Sequence, residues 1–133
     1  MVEGGCHCKA VRYRINGEPV RVGLCHWKDC RGHAGATVVA WGIFGQEQVE
    51  WTGDLTPYAS SEHGRRLFCT KCGAGLFYLN KIIFAGLIDV QIATLDDPDA
   101  LQPIEQIQLA ERIGWMETAH DLRGFERWPP DLG

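Results

Sequence analysis

Six cysteines of the chain fall into three pairs with different spacings. Cys6 and Cys8 form C-x-C in "GGCHCK". Cys69 and Cys72 form C-x-x-C in "FCTKCG". Cys25 and Cys30 stand further apart, in "CHWKDC". Each of the first two pairs lies between strand-like segments and has a glycine beside it, Gly5 before one and Gly73 after the other. Glycine gives a tight turn its backbone freedom, and the turn aims two sulfurs at one point. Two such turns facing each other make a closed tetrahedral S4 site. That is the donor set of a structural zinc ion, with no coordination position left for chemistry. Buried free thiols are the plain alternative. A thioredoxin-type redox pair would need a βαβ context that is absent around residues 69–72. The expectation is one Zn2+ held by Cys6, Cys8, Cys69 and Cys72, stapling the N-terminus to a hairpin far along the chain.

Cys25 and Cys30 have a spacing that is poor for a metal pair by itself. His26, Asp29 and His33 are close in sequence, and His7 and His63 are more distant. Two readings stay open at this point: a second metal site, or two buried thiols among solvated histidines. A redox role for the pair is a third. Arg31 follows Cys30 directly and is a candidate for a bidentate contact with a carboxylate ligand. Arg65 and Arg66 are further candidates, and an ordinary surface arginine is the bland reading of each. Asp96 and Asp97 precede a proline, where turn formation and capping account for them without acid–base chemistry.

These side chains need elements to position them. Helical periodicity is weak, and short alternating or apolar runs separated by turn residues dominate. Residues 10–15 alternate Val11, Tyr13 and Ile15 against Arg12 and Arg14. Residues 37–44 read as a buried strand and 48–53 as an alternating one. Residues 55–60 read as an edge strand because Pro57 cannot donate to a ladder. Residues 66–68 and 75–79 flank the C-x-x-C turn. Residues 81–89, "KIIFAGLID", read as another strand, and 106–113 alternate again. Residues 95–103 suit a single helical turn, and the Pro-rich tail is expected over the surface. The fold class expected is mainly β: one domain over residues 1–133, of short antiparallel strands with little helix.

The formal net charge is −4 and the basic residues are scattered. Nucleic acid is therefore not an expected partner, since it requires a dense basic footprint. No signal-peptide pattern opens the sequence, and its most apolar window carries Lys81 and Asp89, so no membrane span is expected. A cytoplasmic location is the default expectation. Thiols stay reduced there, which again favours metal over disulfides. Exposed β edges leave a homodimer open.

The segments "GGCHCKAVRY", "CHWKDCRGHAGA", "FCTKCGAGL", "ATLDDP" and "ERIGW" occur in this order. Together they resemble the glutathione-dependent formaldehyde-activating enzyme family, also called the centromere protein V/GFA domain. The resemblance implies a β-rich tent fold with a structural zinc on the C-x-C and C-x-x-C pairs. It also implies a second, catalytic zinc on a C-x-C-x-x-C motif, which falls here on Cys25, Trp27 and Cys30. Tryptophan offers an indole N–H donor and no lone pair in the ring plane, so position 27 cannot ligate. A third ligand would have to come from His26, His33, His63 or a substrate thiol. Gln106 stands where such proteins often have histidine, and Lys9 where glycine is usual. The implied reaction adds the thiol of glutathione, the expected small-molecule partner, to formaldehyde. Its reverse breaks a carbon–sulfur bond, so the activity class is a carbon–sulfur lyase. Cys25 and Cys30 would hold the catalytic zinc, and Arg31 would orient the substrate. The alternative is a ligand-binding or interaction module that keeps only the structural zinc.

Overall fold

A computed structural model describes residues 1–132. Gly133, the last residue of the expected domain, lies outside the described residues. The architecture is mainly β. Ten strands run β1 (Val2–Gly5), β2 (Arg12–Ile15), β3 (Arg21–Cys25), β4 (Val39–Gly45), β5 (Val49–Thr52), β6 (Leu55–Ala59), β7 (Gly64–Cys69), β8 (Gly75–Asn80), β9 (Leu87–Gln91) and β10 (Glu105–Ile107). They form a three-stranded sheet, β1-β2-β5, and a seven-stranded sheet, β10-β3-β4-β9-β8-β7-β6. All pairings are antiparallel except β10 with β3.

The period-two alternation of a strand divides the large sheet into two faces. On β4, Ala40 and Phe44 pack into the main core, while Val39 and Trp41 belong to a separate apolar cluster. On β9, Ile88 and Val90 join the core, and Asp89 points the other way, into a cleft. The main core lies between the sheets and is built from Val11, Tyr13, Ile15, Val22, Phe44, Leu76, Phe77, Ile88 and Val90. Tyr13 meets the edge of Phe77, with ring centroids 5.4 Å apart.

Residues 10–15 and 48–53 pair as β2 and β5, with Tyr13 opposite Trp51 and Ile15 opposite Val49. Residues 66–68 and 75–79 lie in the expected hairpin, β7 and β8. Three segments depart from the sequence reading. Residues 81–86 form a turn rather than a strand, with Ile82 and Ile83 exposed. The side-chain oxygen of Asn80 accepts the amides of Ile82 and Ile83 at 3.1 and 3.0 Å, which ends β8 and holds the turn. The strand at residues 106–113 shrinks to Glu105–Ile107, because Gln108 adopts a left-handed conformation (φ 57°) and starts a 3-10 turn. Residues 28–34, to which the sequence reading gives no element, form a helix, α1 (Lys28–Ala34). It ends at Gly35, whose φ of 65° is one that glycine adopts without penalty, and the Gly35 amide donates to the Arg31 carbonyl at 2.8 Å. No helix among the described residues is long and apolar enough to cross a membrane.

A metal cluster and a cysteine cleft

The C-x-C turn follows β1 and the C-x-x-C turn joins β7 to β8. The sulfurs of Cys6, Cys8, Cys69 and Cys72 lie within 4.8 Å of one another. Cys6 to Cys8 is 3.6 Å and Cys8 to Cys69 is 3.8 Å. Four sulfurs about 2.3 Å from one zinc would stand about 3.8 Å apart, so the spacing suits a tetrahedral ion. Backbone amides complete the arrangement. Val11 donates to the Cys6 sulfur at 3.2 Å, and Lys71 and Cys72 donate to the Cys69 sulfur at 3.3 and 3.4 Å. Such donors stabilise thiolate ligands and orient them. The residue after each turn has a positive φ: Gly73 at 80° and Lys9 at 67°. This explains why glycine suits position 9 and why lysine there carries strain. The four cysteines could hold a metal such as zinc.

The second constellation sits on the outer face of the large sheet. A cleft of about 440 Å³ is lined by Cys25, Cys30, Trp27, Trp41, Tyr78 and Asp89, among others. A hollow of about 500 Å³ lies over the small sheet, but ion-pairing side chains such as Glu3, Arg12 and Arg14 wall it, and no cysteine or histidine lines it. The cysteine cleft is the better candidate for chemistry. β3 delivers Cys25 at its C-terminal end, and the buried face of α1 delivers Cys30. Their sulfurs are 3.8 Å apart, with Cys25 donating to Cys30. Trp27, between them, packs against the same apolar cluster.

Strand register sets the cleft floor. Arg66 lies opposite Tyr78, Tyr78 opposite Asp89, Asp89 opposite Ile43, and Ile43 opposite Arg21. These five residues form one row across four strand pairings. Arg66 is buried, at 2% exposure. Its two terminal nitrogens each approach the Cys30 sulfur at 3.7 Å. Its guanidinium also lies over the Tyr78 ring at 4.7 Å and the Trp27 ring at 5.6 Å. Asp89 is buried too, and its Oδ1 has no hydrogen-bond partner.

The electrostatics follow from this packing. The hydrogen bond from Cys25, with help from the Arg66 charge and against the cost of burial, holds the Cys30 thiol down at about 6. The same Cys25–Cys30 bond, together with burial, pushes Cys25 up. Burial, reinforced by the neighbouring Cys30 and opposed by Arg66, pushes the Asp89 carboxyl up to about 7.

Arg31 lies outside the cleft lining. Its Nε donates to the His26 carbonyl at 3.0 Å and a terminal nitrogen donates to the Glu111 carbonyl at 3.2 Å. The candidate third ligands are also engaged elsewhere. His26 Nε2 is 2.8 Å from Gln106 Oε1. His33 stacks on Tyr58, and His63 faces Glu62. Among the described residues, Cys6, Cys8, Cys69 and Cys72 are the sole cluster of three or more histidine, cysteine or acidic donors within metal-binding reach. Cys25 and Cys30 thus supply two sulfurs without a third protein donor, a set too small to fit a firmly bound zinc. Tyr78 and Asp89 carry no site signal of their own in the sequence, and Arg66, a candidate there for contact with a ligand carboxylate, is instead buried against Cys30. The one available signal is the hairpin register that places Arg66 opposite Tyr78.

Comparison with known proteins bears on this geometry. Residues 1–111 match the family described as glutathione-dependent formaldehyde-activating enzyme. A Schizosaccharomyces pombe protein named an uncharacterized lyase is 28% identical, the match covering 73% of this chain and 81% of the relative. A Halomonas elongata protein named for glutathione-dependent formaldehyde activation is 26% identical, over 98% of this chain and 90% of its own. A crystal structure of a Rhodobacter sphaeroides protein superposes with a TM-score of 0.59 at 19% identity, covering 78% of this chain and 98% of that one. This last likeness speaks for the fold alone.

Proposed function

The chain belongs to the glutathione-dependent formaldehyde-activating enzyme family, and from that premise we propose that it is a carbon–sulfur lyase acting on thiol–aldehyde adducts of the S-hydroxymethylglutathione type. The observation that carries this reading is the Cys25–Cys30 pair, its sulfurs 3.8 Å apart on the wall of a cleft, at the positions where the family resemblance puts the reactive centre. The whole chain acts as one domain in this reading. Cys6, Cys8, Cys69 and Cys72 hold one structural zinc, which adds no chemistry of its own because four sulfurs close its coordination shell.

The cleft suits such a substrate. Trp27, Trp41, Tyr78 and Phe84 give it apolar walls. Arg21 and Glu105 stand among its lining residues, paired at 2.8 Å, and offer polar contacts to a peptide-like thiol. Arg31 contributes indirectly in this reading, by fixing the His26 carbonyl and so the turn between Cys25 and α1.

The test is exchange of 13C-labelled formaldehyde with glutathione, followed by NMR. The expected result is acceleration of adduct formation and breakdown by the zinc-loaded protein, abolished by Cys30→Ser. A protein that binds glutathione without accelerating exchange would instead be a binding module. Trp27, which removes a sulfur from the motif, is the observation that favours this second reading.

A further inference from the structure

Arg66 presents an unusual charge problem. Burying a guanidinium is costly unless an anion offsets it. Among the described residues no carboxylate oxygen lies within 4.0 Å of it. Its contacts are the faces of Tyr78 and Trp27 and, from both terminal nitrogens at 3.7 Å, the sulfur of Cys30. Cys25 donates to that same sulfur at 3.8 Å. Three donors therefore converge on one atom. A thiol has a proton to place and accepts weakly, whereas a thiolate accepts only. Asp89 lines the same cleft but stands two strands from Arg66 in the row, with Tyr78 between them. At about 4.8 Å per strand the two backbones are about 10 Å apart.

We propose that Cys30 is a thiolate held as the counter-ion of Arg66, and that it is the nucleophile of the cleft, adding to the carbonyl carbon of an aldehyde while Asp89 supplies the proton. The sulfur lone pair forms a carbon–sulfur bond. The carbonyl π pair moves to oxygen, and that oxygen takes the proton of the neutral Asp89 carboxyl. The products are a Cys30 thiohemiacetal and an Asp89 carboxylate, with no change of oxidation state. Collapse returns the proton to Asp89, expels Cys30 as thiolate and re-forms the carbonyl beside an incoming thiol. The chemistry uses residues of this chain alone, consistent with a cleft whose two sulfurs lack a third metal donor. Only the identity of the electrophile rests on the thiol–aldehyde reading above.

The experiment is alkylation of the zinc-loaded full chain by iodoacetamide between about pH 5 and 9, with the modified residue located by peptide mass. Cys30 is expected to react first, at a rate already near its plateau at neutral pH, whereas an ordinary thiol climbs through about 8.5. Arg66→Met should slow the reaction at neutral pH by about tenfold or more, and Arg66→Lys, which keeps the charge, should restore most of it. If Arg66→Met fails to fold, the wild-type profile and Arg66→Lys decide the matter. Labelling of Cys25 ahead of Cys30, or a Cys30 rate that rises only through about 8.5, overturns the proposal. So does a second bound metal equivalent that shields Cys30. Fast Cys30 labelling without glutathione–formaldehyde exchange would leave the nucleophile standing and remove the lyase reading. Exchange catalysed by a protein whose Cys30 labels like an ordinary thiol would do the reverse.

Discussion

The molecule carries two groups of cysteines, and they satisfy their sulfurs in opposite ways. Cys6, Cys8, Cys69 and Cys72 come together as four, on two turns, with backbone amides aimed at them. Cys25 and Cys30 come together as two, with a side-chain cation in contact. The first group could hold one metal ion, and four sulfurs around it would leave nothing to react. The second faces an open cleft and keeps a sulfur free. Negative charge on sulfur can thus be stabilised by ligation or by a guanidinium, and only the second arrangement leaves the lone pair exposed to a substrate.

The comparison can be broken most forcefully at the four-sulfur cluster. Cys69→Ser removes the most buried ligand. Metal binding of this kind is worth on the order of 10–16 kcal/mol, so the variant should lose its cooperative thermal transition or melt well below the wild type. Chelation of the wild type should act in the same direction, measured by circular dichroism. An unchanged melting curve would mean that the cluster does not hold the fold together.

A second test converts one region toward the other. Trp27→Cys places a third sulfur beside Cys25 and Cys30, and metal content should rise from one equivalent per chain toward two, as read by elemental analysis. A content that stays at one would show that position 27 does not face the pair.

Asp89 gives the next effect in size. Its carboxyl is raised from 3.8 to about 7 by burial, so the folded state binds the proton more tightly than the unfolded chain. Stability therefore falls as pH rises between these values, by on the order of 4 kcal/mol. Cys30 acts oppositely: held at about 6 against 9.0 in the unfolded chain, it adds stability as pH rises through that higher window. Urea midpoints for Asp89→Asn should lack the fall and keep the rise. Parallel curves for the variant and the wild type would remove Asp89 as a buried acid.

Arg31→Ala should be the mildest. It loses two hydrogen bonds to carbonyls, worth about 1–3 kcal/mol together. It should slow Cys30 labelling far less than Arg66→Met does, because the side chain holds the turn before α1 without reaching the cleft. A loss of labelling comparable to that of Arg66→Met would place Arg31 in the reactive centre after all.

The four-cysteine cluster was legible in the sequence because its chemistry is local: a pair, a turn and a glycine announce themselves within five residues. The strands at 12–15 and 49–52 were legible for a similar reason, since alternation is written along the chain. The apolar run 81–86 misled because a strand and an exposed turn can share composition, and the deciding feature is one side chain, Asn80, capturing two amides. Helix α1 is only seven residues long, too short for periodicity to declare itself. Asp89, and the inward role of Arg66, could not be read: the sequence offers Arg66 as a contact for a ligand carboxylate, not as a buried partner of Cys30. Their burial depends on cross-strand register, which joins residues far apart in sequence, and "GRRLF" gives no hint of which arginine turns inward.

Cys8 and Cys69 are separated by 61 positions, and that interval contains β2 to β6, α1 and most of β7. During synthesis the first two sulfurs emerge early, and the four-sulfur set cannot assemble until the last two leave the ribosome. Capture of an ion by these four would then be a late event that ties off a loop containing both cysteines of the cleft. With zinc as that ion, as proposed, a cell short of zinc would lose the cleft as well, through failure to complete the fold rather than through any lack of metal in the cleft.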